Sequence, residues 1–148
     1  MKRLITGLAF TLVLGVNMAM ANDTKVSRYA EEAFKKEFAG AEYVNWQKAG
    51  DYYMATFNYQ GQRLNAYFEE DGQLRSTTRY VEYKSLPLNV VKKLQEHFAD
   101  ATIDENILEV AKSSGTSYLI TIKEGKKQYL VEADAGGNIS IVKKQKLG

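Results

Sequence analysis

The sequence predicts an α+β fold built from two tandem repeats, each a helix followed by about four short strands. Three observations predict it. Two stretches with helical spacing end on similar residues, Glu37-Phe38-Ala39-Gly40-Ala41 and His97-Phe98-Ala99-Asp100-Ala101. Each is followed by short runs in which apolar and polar residues alternate, the period of a half-buried strand. The apolar positions of the two halves also coincide at an offset of 65. Tyr53, Ala55 and Phe57 fall on Tyr118, Ile120 and Ile122, and Leu64, Ala66 and Phe68 fall on Tyr129, Val131 and Ala133. Gly72 and Leu74 fall on Gly137 and Ile139. Repetition on this scale constrains a fold more than any single residue does.

The first helix is carried by Val26, Tyr29-Ala30, Ala33-Phe34 and Phe38, with Lys35, Lys36 and Glu37 turned outward. Asp23 or Ser27 could cap it, and Gly40 is a natural stop. Strands are expected over Tyr43 to Lys48, Tyr52 to Tyr59, Gln62 to Glu69 and Gln73 to Tyr83. They are broken by Gly50-Asp51, Gln60-Gly61 and Asp71-Gly72. Pro87 suits the first turn of a second helix, whose stripe is Val90-Val91, Leu94 and Phe98. Four more strands follow, near Ile107 to Lys112, Tyr118 to Lys123, Gln128 to Glu132 and Asn138 to Lys143. Phe38 meets Phe98 at an offset of only 60, so the second half carries about five extra residues. They are expected around Thr102 to Asn106.

Strand alternation then assigns faces. The matched apolar positions should face the helices, with Phe57 and Phe68 buried under the first helix against Phe34 and Phe38. The alternate positions should form an open face: Tyr52, Met54, Thr56, Asn65, Tyr67, Arg75, Thr77 and Arg79 in the first half. In the second half they are Leu119, Thr121, Lys123, Gln128, Leu130, Glu132, Ser140 and Val142.

The N-terminus reads as a targeting segment. Lys2-Arg3 precedes an apolar run from Leu4 to Met18, and Ala19-Met20-Ala21 supplies the small residues of a signal-peptidase site. The apolar run is short for a membrane span. Residues 1–21 are therefore expected to be removed after Ala21, which leaves no stable membrane anchor and places the mature chain in the periplasm or outside the cell. Of the 20 basic residues in the 148-residue chain, Lys2 and Arg3 leave with it, so 18 basic groups face 18 acidic ones. A neutral chain gives no reason to expect a nucleic-acid partner. The remaining residues, 22–148, suit one domain, with repeats over about 24–84 and 85–148. There is no cysteine, which excludes disulfides, thiol catalysis and a lipid anchor on cysteine.

No catalytic, cofactor-binding or metal-binding set can be assembled. His97 is the single histidine and flanks the second helical stripe. Glu69-Glu70-Asp71-Gly72 lacks the spaced oxygen ligands of a calcium loop and reads as an acidic hairpin turn. Gly136-Gly137-Asn138 is a turn rather than a phosphate loop, and Lys143, Lys144 and Lys146 read as a soluble frayed tail. The aromatics are uneven. Tyr43, Tyr52, Tyr53, Tyr59, Tyr67, Tyr80, Tyr83, Trp46, Phe57 and Phe68 crowd residues 41–85, against Phe98, Tyr118 and Tyr129 in the second half. Tyrosine favours strands, and it also supplies contact area at interfaces. Trp46, in phase with Val44, is expected in the core.

Three stretches carry a likeness: Val44-Asn45-Trp46, Tyr52-Tyr53-Met54-Ala55-Thr56-Phe57, and Ala66-Tyr67-Phe68-Glu69-Glu70-Asp71-Gly72-Gln73-Leu74. The chain resembles the PepSY-like, beta-lactamase-inhibitor-like family of exported bacterial proteins. The resemblance implies one extended antiparallel sheet with the helices on one face, and it implies a periplasm. Secreted beta-lactamase inhibitors of this kind carry disulfide cysteines, which this chain lacks, so an inhibitory role rests on the resemblance alone. The reading that follows is a non-enzymatic binding module that takes an envelope protein or peptide on the open face, through Tyr52, Met54, Tyr67, Arg75 and Arg79. The alternative is an envelope sensor or accessory protein binding a small ligand between sheet and helices.

Overall fold

The computed structural model describes residues 25–148; the expected signal segment and Asp23 lie outside the described residues. The elements run α1 (Arg28–Glu37), β1 (Glu42–Ala49), β2 (Tyr52–Tyr59), β3 (Gln62–Phe68) and β4 (Leu74–Val81), then a 3-10 turn at Tyr83–Ser85. The second half is α2 (Leu88–His97), β5 (Thr102–Ile103), β6 (Ile107–Lys112), β7 (Gly115–Glu124), β8 (Lys127–Asp134) and β9 (Ile139–Lys146). Every strand pairing is antiparallel, in the order β1-β2-β3-β4-β6-β7-β8-β9. The short β5 pairs separately with the far end of β7. The expected α+β architecture of two helix-plus-strand repeats in one sheet is the architecture observed.

Both helices lie on one face of this sheet. Ala30 and Phe34 of α1 pack on Ala55, Phe57, Ala66 and Phe68. Val90 and Leu94 of α2, with Phe98, pack on Ile107, Tyr118, Ile120, Ile122, Tyr129, Val131 and Ala133. Directly opposed residues share a face. The row Ala55–Ala66–Thr77–Ala111 runs from the first half into the second. It lies in phase with the row Glu109–Tyr118–Ala133 under α2. The first core is aromatic: Phe57 stands 4.8 Å from both Phe34 and Phe38 between ring centroids, and Phe34 stands 6.2 Å from Phe68. Trp46 meets Phe34 edge-on at 5.4 Å. Val44 stays exposed, because β1 is irregular between Glu42 and Asn45.

The helix starts differ from expectation. Ser27 precedes α1 but makes no capping bond; its hydroxyl donates to the carbonyl of Glu70 and so ties the helix to the β3–β4 turn. Pro87 sits just before α2 rather than inside it, with its carbonyl accepting from Val91 N–H at 3.1 Å. The acidic segment Glu69–Gly72 is a turn, closed by Glu69 N–H to the Gln73 carbonyl at 2.9 Å.

The extra residues of the second half lie mostly elsewhere than expected. Glu42↔Asn58 corresponds to Thr102↔Lys123, an offset of 60 on the first strand. Gln47↔Met54 corresponds to Leu108↔Leu119, an offset of 61 there. One residue is therefore absorbed between β5 and β6. The rest lengthen the β6–β7 hairpin by two pairs, Ala111↔Thr116 and Lys112↔Gly115. Those pairs are not idle, since Ala111 and Lys112 also pair with Thr77 and Ser76 of β4. The added length extends the seam that joins the halves. The C-terminal lysines are likewise not a frayed tail, for β9 pairs with β8 through Lys146.

Candidate functional site

The face away from the helices is organised in rows across the first half. One row is Gln47–Met54–Tyr67–Ser76 and the next is Asn45–Thr56–Asn65–Thr78. The second row is stitched by side chains: Thr56 Oγ1 donates to Asn65 Oδ1 at 2.8 Å, and Asn65 Nδ2 donates to Thr78 Oγ1 at 3.3 Å. Ser76 and Thr78 are nearly inaccessible. Short polar side chains here sit low between longer neighbours such as Tyr67, so the bed of the face is ordered and polar.

Tyr52, Met54 and Tyr67 stand together on this face and are each half-buried. Burial raises the Tyr67 pKa above its usual value, with a hydrogen bond from Thr78 acting against it and Tyr80 nearby adding to it. Arg75 closes the group at one end. Its Nε lies 2.6 Å from Glu69 Oε1, and its charge lies near Tyr52 and Asp71. A shallow hollow lined by Asp51, Tyr52, Glu69, Glu70 and Asp71 adjoins it.

Arg79 is not on this face, and Thr77 is not either. The pairing of β3 with β4 slips by one residue: Phe68 is opposite Leu74, but Tyr67 is opposite Ser76. The extra residue, Arg75, is a β-bulge, and a bulge inverts the alternation beyond it. Simple alternation from Leu74 therefore misassigns Thr77 and Arg79. Arg79 points to the helix side, in the cleft between the repeats. There its Nε lies 2.6 Å from Glu109 Oε1, and its Nη1 donates to Gln62. Tyr59, Leu64 and Thr77 also line this cleft of about 350 Å³. Glu109 is directly opposite Tyr118, whose pKa is raised by burial and then by the Glu109 charge. The bulge residue left no signal that periodicity could detect, because Arg75, Ser76, Thr77 and Thr78 are all polar.

Among the described residues, no three His, Cys, Asp or Glu side chains are placed to hold a metal ion, and no helix is long and apolar enough to cross a membrane. His97 is exposed at the end of α2.

No protein-family profile matches the chain, and no curated protein matches it by sequence. Solved structures do match its fold. A BLIP-like protein from Bacteroides fragilis superposes with a TM-score of 0.72 at 20% identity, over 84% of this chain and 90% of that one. A DUF2874 family protein from Bacteroides ovatus gives 0.71 at 22% identity, over 84% and 89%. A protein from Bacteroides eggerthii, described provisionally as periplasmic, gives 0.69 at 18% identity, over 83% and 90%. At these identities the likeness is one of fold: the chain has a BLIP-like α+β fold.

Proposed function

We propose that this chain is an exported, non-enzymatic binding module that holds an envelope protein or peptide on the sheet face away from its helices. The observation that carries the reading is the convergence of Tyr52, Met54, Tyr67 and Arg75 on that face, over a bed of hydrogen-bonded polar side chains. Tyrosine and methionine supply apolar contact area, and arginine supplies directed hydrogen bonds. The fold shared with a BLIP-like protein and with a protein described provisionally as periplasmic is consistent with it. The reading does not rest on the PepSY-like part of the resemblance. An inhibitory role stays within the proposal as one way in which such a module could act.

A small-ligand reading would use the cleft at Arg79. Its polar groups already bond to one another, Arg79 to Glu109 and Gln62, which favours the sheet face instead. The test compares capture of partners from an envelope extract by the wild type and by a Tyr52→Ala, Tyr67→Ala variant at equal folded concentration. Loss of about 2 kcal/mol or more in affinity supports the face. Unchanged capture rejects it, and loss of folding assigns these tyrosines to the sheet.

A further inference from the structure

The strands that join the two repeats have counterparts with one edge left open among the described residues. β4 and β6 form the seam, while their counterparts β9 and β1 are the two ends of the sheet. At the seam Arg79 lies directly opposite Glu109. The repeat identifies what stands at the same places on the free edges. Asn65↔Thr78 corresponds to Leu130↔Lys143, so Lys144 stands where Arg79 does. Glu109↔Tyr118 corresponds to Lys48↔Tyr53, so Lys48 stands where Glu109 does. Each lysine is held toward an aromatic ring on the helix side, Lys48 at 3.8 Å from the Tyr53 centroid and Lys144 at 5.7 Å from that of Tyr129.

A second copy that added its β1 to β9 in the register of the seam would set Lys48 against Lys144. Like charges placed directly opposite are destabilising, so the chain's own edge strand is a poor occupant. Lysines on an edge are a common guard against indiscriminate pairing. Here the guard is selective, because β9 keeps the cation that receives a glutamate at the seam. Lys126 and Lys127 join Lys144 and Lys146 around one basic hollow, with Glu124 the single acid among its lining residues. Ile141 and Val142, on the same strand, are half-exposed.

We propose that β9 is a docking edge for an extended segment of a partner protein that carries a glutamate between apolar residues, which adds as a strand with that glutamate opposite Lys144. The seam supplies the template, a glutamate flanked by apolar residues as in Leu108-Glu109-Val110. This site is separate from the tyrosine face and does not depend on it.

The test uses the purified full chain and a fluorescent peptide copying residues 106–112, together with the same peptide carrying Glu109→Lys. The wild type should bind the glutamate peptide about tenfold more tightly than the lysine peptide, and Lys144→Glu should reverse that order. Hydrogen exchange should show new protection in β9. Equal binding of the two peptides, no binding, or a preference untouched by Lys144→Glu overturns the proposal. So does protection of β4 with exposure of β6, which would mean that the peptide replaces its own copy at the seam.

Discussion

Arg79 Nε lies 2.6 Å from Glu109 Oε1, and this contact spans the only strand pair that joins one repeat to the other among the described residues. The Glu109 side chain is 17% exposed and so keeps little water of its own. Arg79→Ala should leave it underpaired and cost about 1–3 kcal/mol in urea unfolding. The Arg79→Ala, Glu109→Ala double variant should recover part of that loss. Additive losses would show that the two side chains are not coupled.

Alkaline stability follows from two phenols, the half-buried Tyr67 and the buried Tyr118. Burial raises the folded pKa of Tyr67 and Tyr118, and the Glu109 charge adds to the shift at Tyr118. In the unfolded chain these phenols ionise near pH 10, before their folded counterparts do. The folded state then holds more protons, so stability is fully present below about pH 10 and falls as pH rises beyond it. Urea midpoints measured from pH 8 to pH 11 should show this decline. Tyr118→Phe should flatten it; an unchanged slope would remove Tyr118 as a cause.

Phe57 is fully buried between Phe34, Phe38 and Tyr59. Phe57→Ala should cost about 3–5 kcal/mol, the usual cavity penalty for a buried phenylalanine. A urea midpoint near that of the wild type would contradict the packing of α1 on the sheet.

Gly72 has φ +90°, and a Cβ there would lie 2.6 Å from the carbonyl oxygen of Tyr29. The turn thus presses on the first turn of α1. Gly61 has φ +77° with open space around it, so Gly61→Ala pays only for its left-handed backbone, about 1 kcal/mol. Gly72→Ala should cost at least about 1 kcal/mol more than that, read as a larger drop in urea midpoint. Equal effects would show that the turn yields without cost.

Export is checked at the N-terminus. Intact-mass measurement of the protein recovered from the cell envelope or the medium should find Asn22 as the first residue. A chain that still begins at Met1 would refute cleavage after Ala21.

Much of this architecture was legible because burial repeats. The phase shared by Tyr53, Ala55 and Phe57 with Tyr118, Ile120 and Ile122 is a hydrophobic pattern, and that pattern alone determined the two repeats, their longer strands and the face that meets the helices, while the two-residue β5 fell where only extra residues were expected. Tyr52, Met54 and Tyr67 were placed correctly on the other face for the same reason. Arg79 was not, because the bulge at Arg75 falls in a polar stretch where inverted alternation leaves no trace in hydropathy. The seam was equally silent. Which strand of one repeat meets which strand of the next is settled by the longer β6–β7 hairpin and by Arg79 meeting Glu109, two residues thirty positions apart. Local periodicity reports which side of a strand is dry. Pairing across the seam depends on backbone hydrogen bonds and charges brought together only when the sheet closes, and only the tertiary structure decided it.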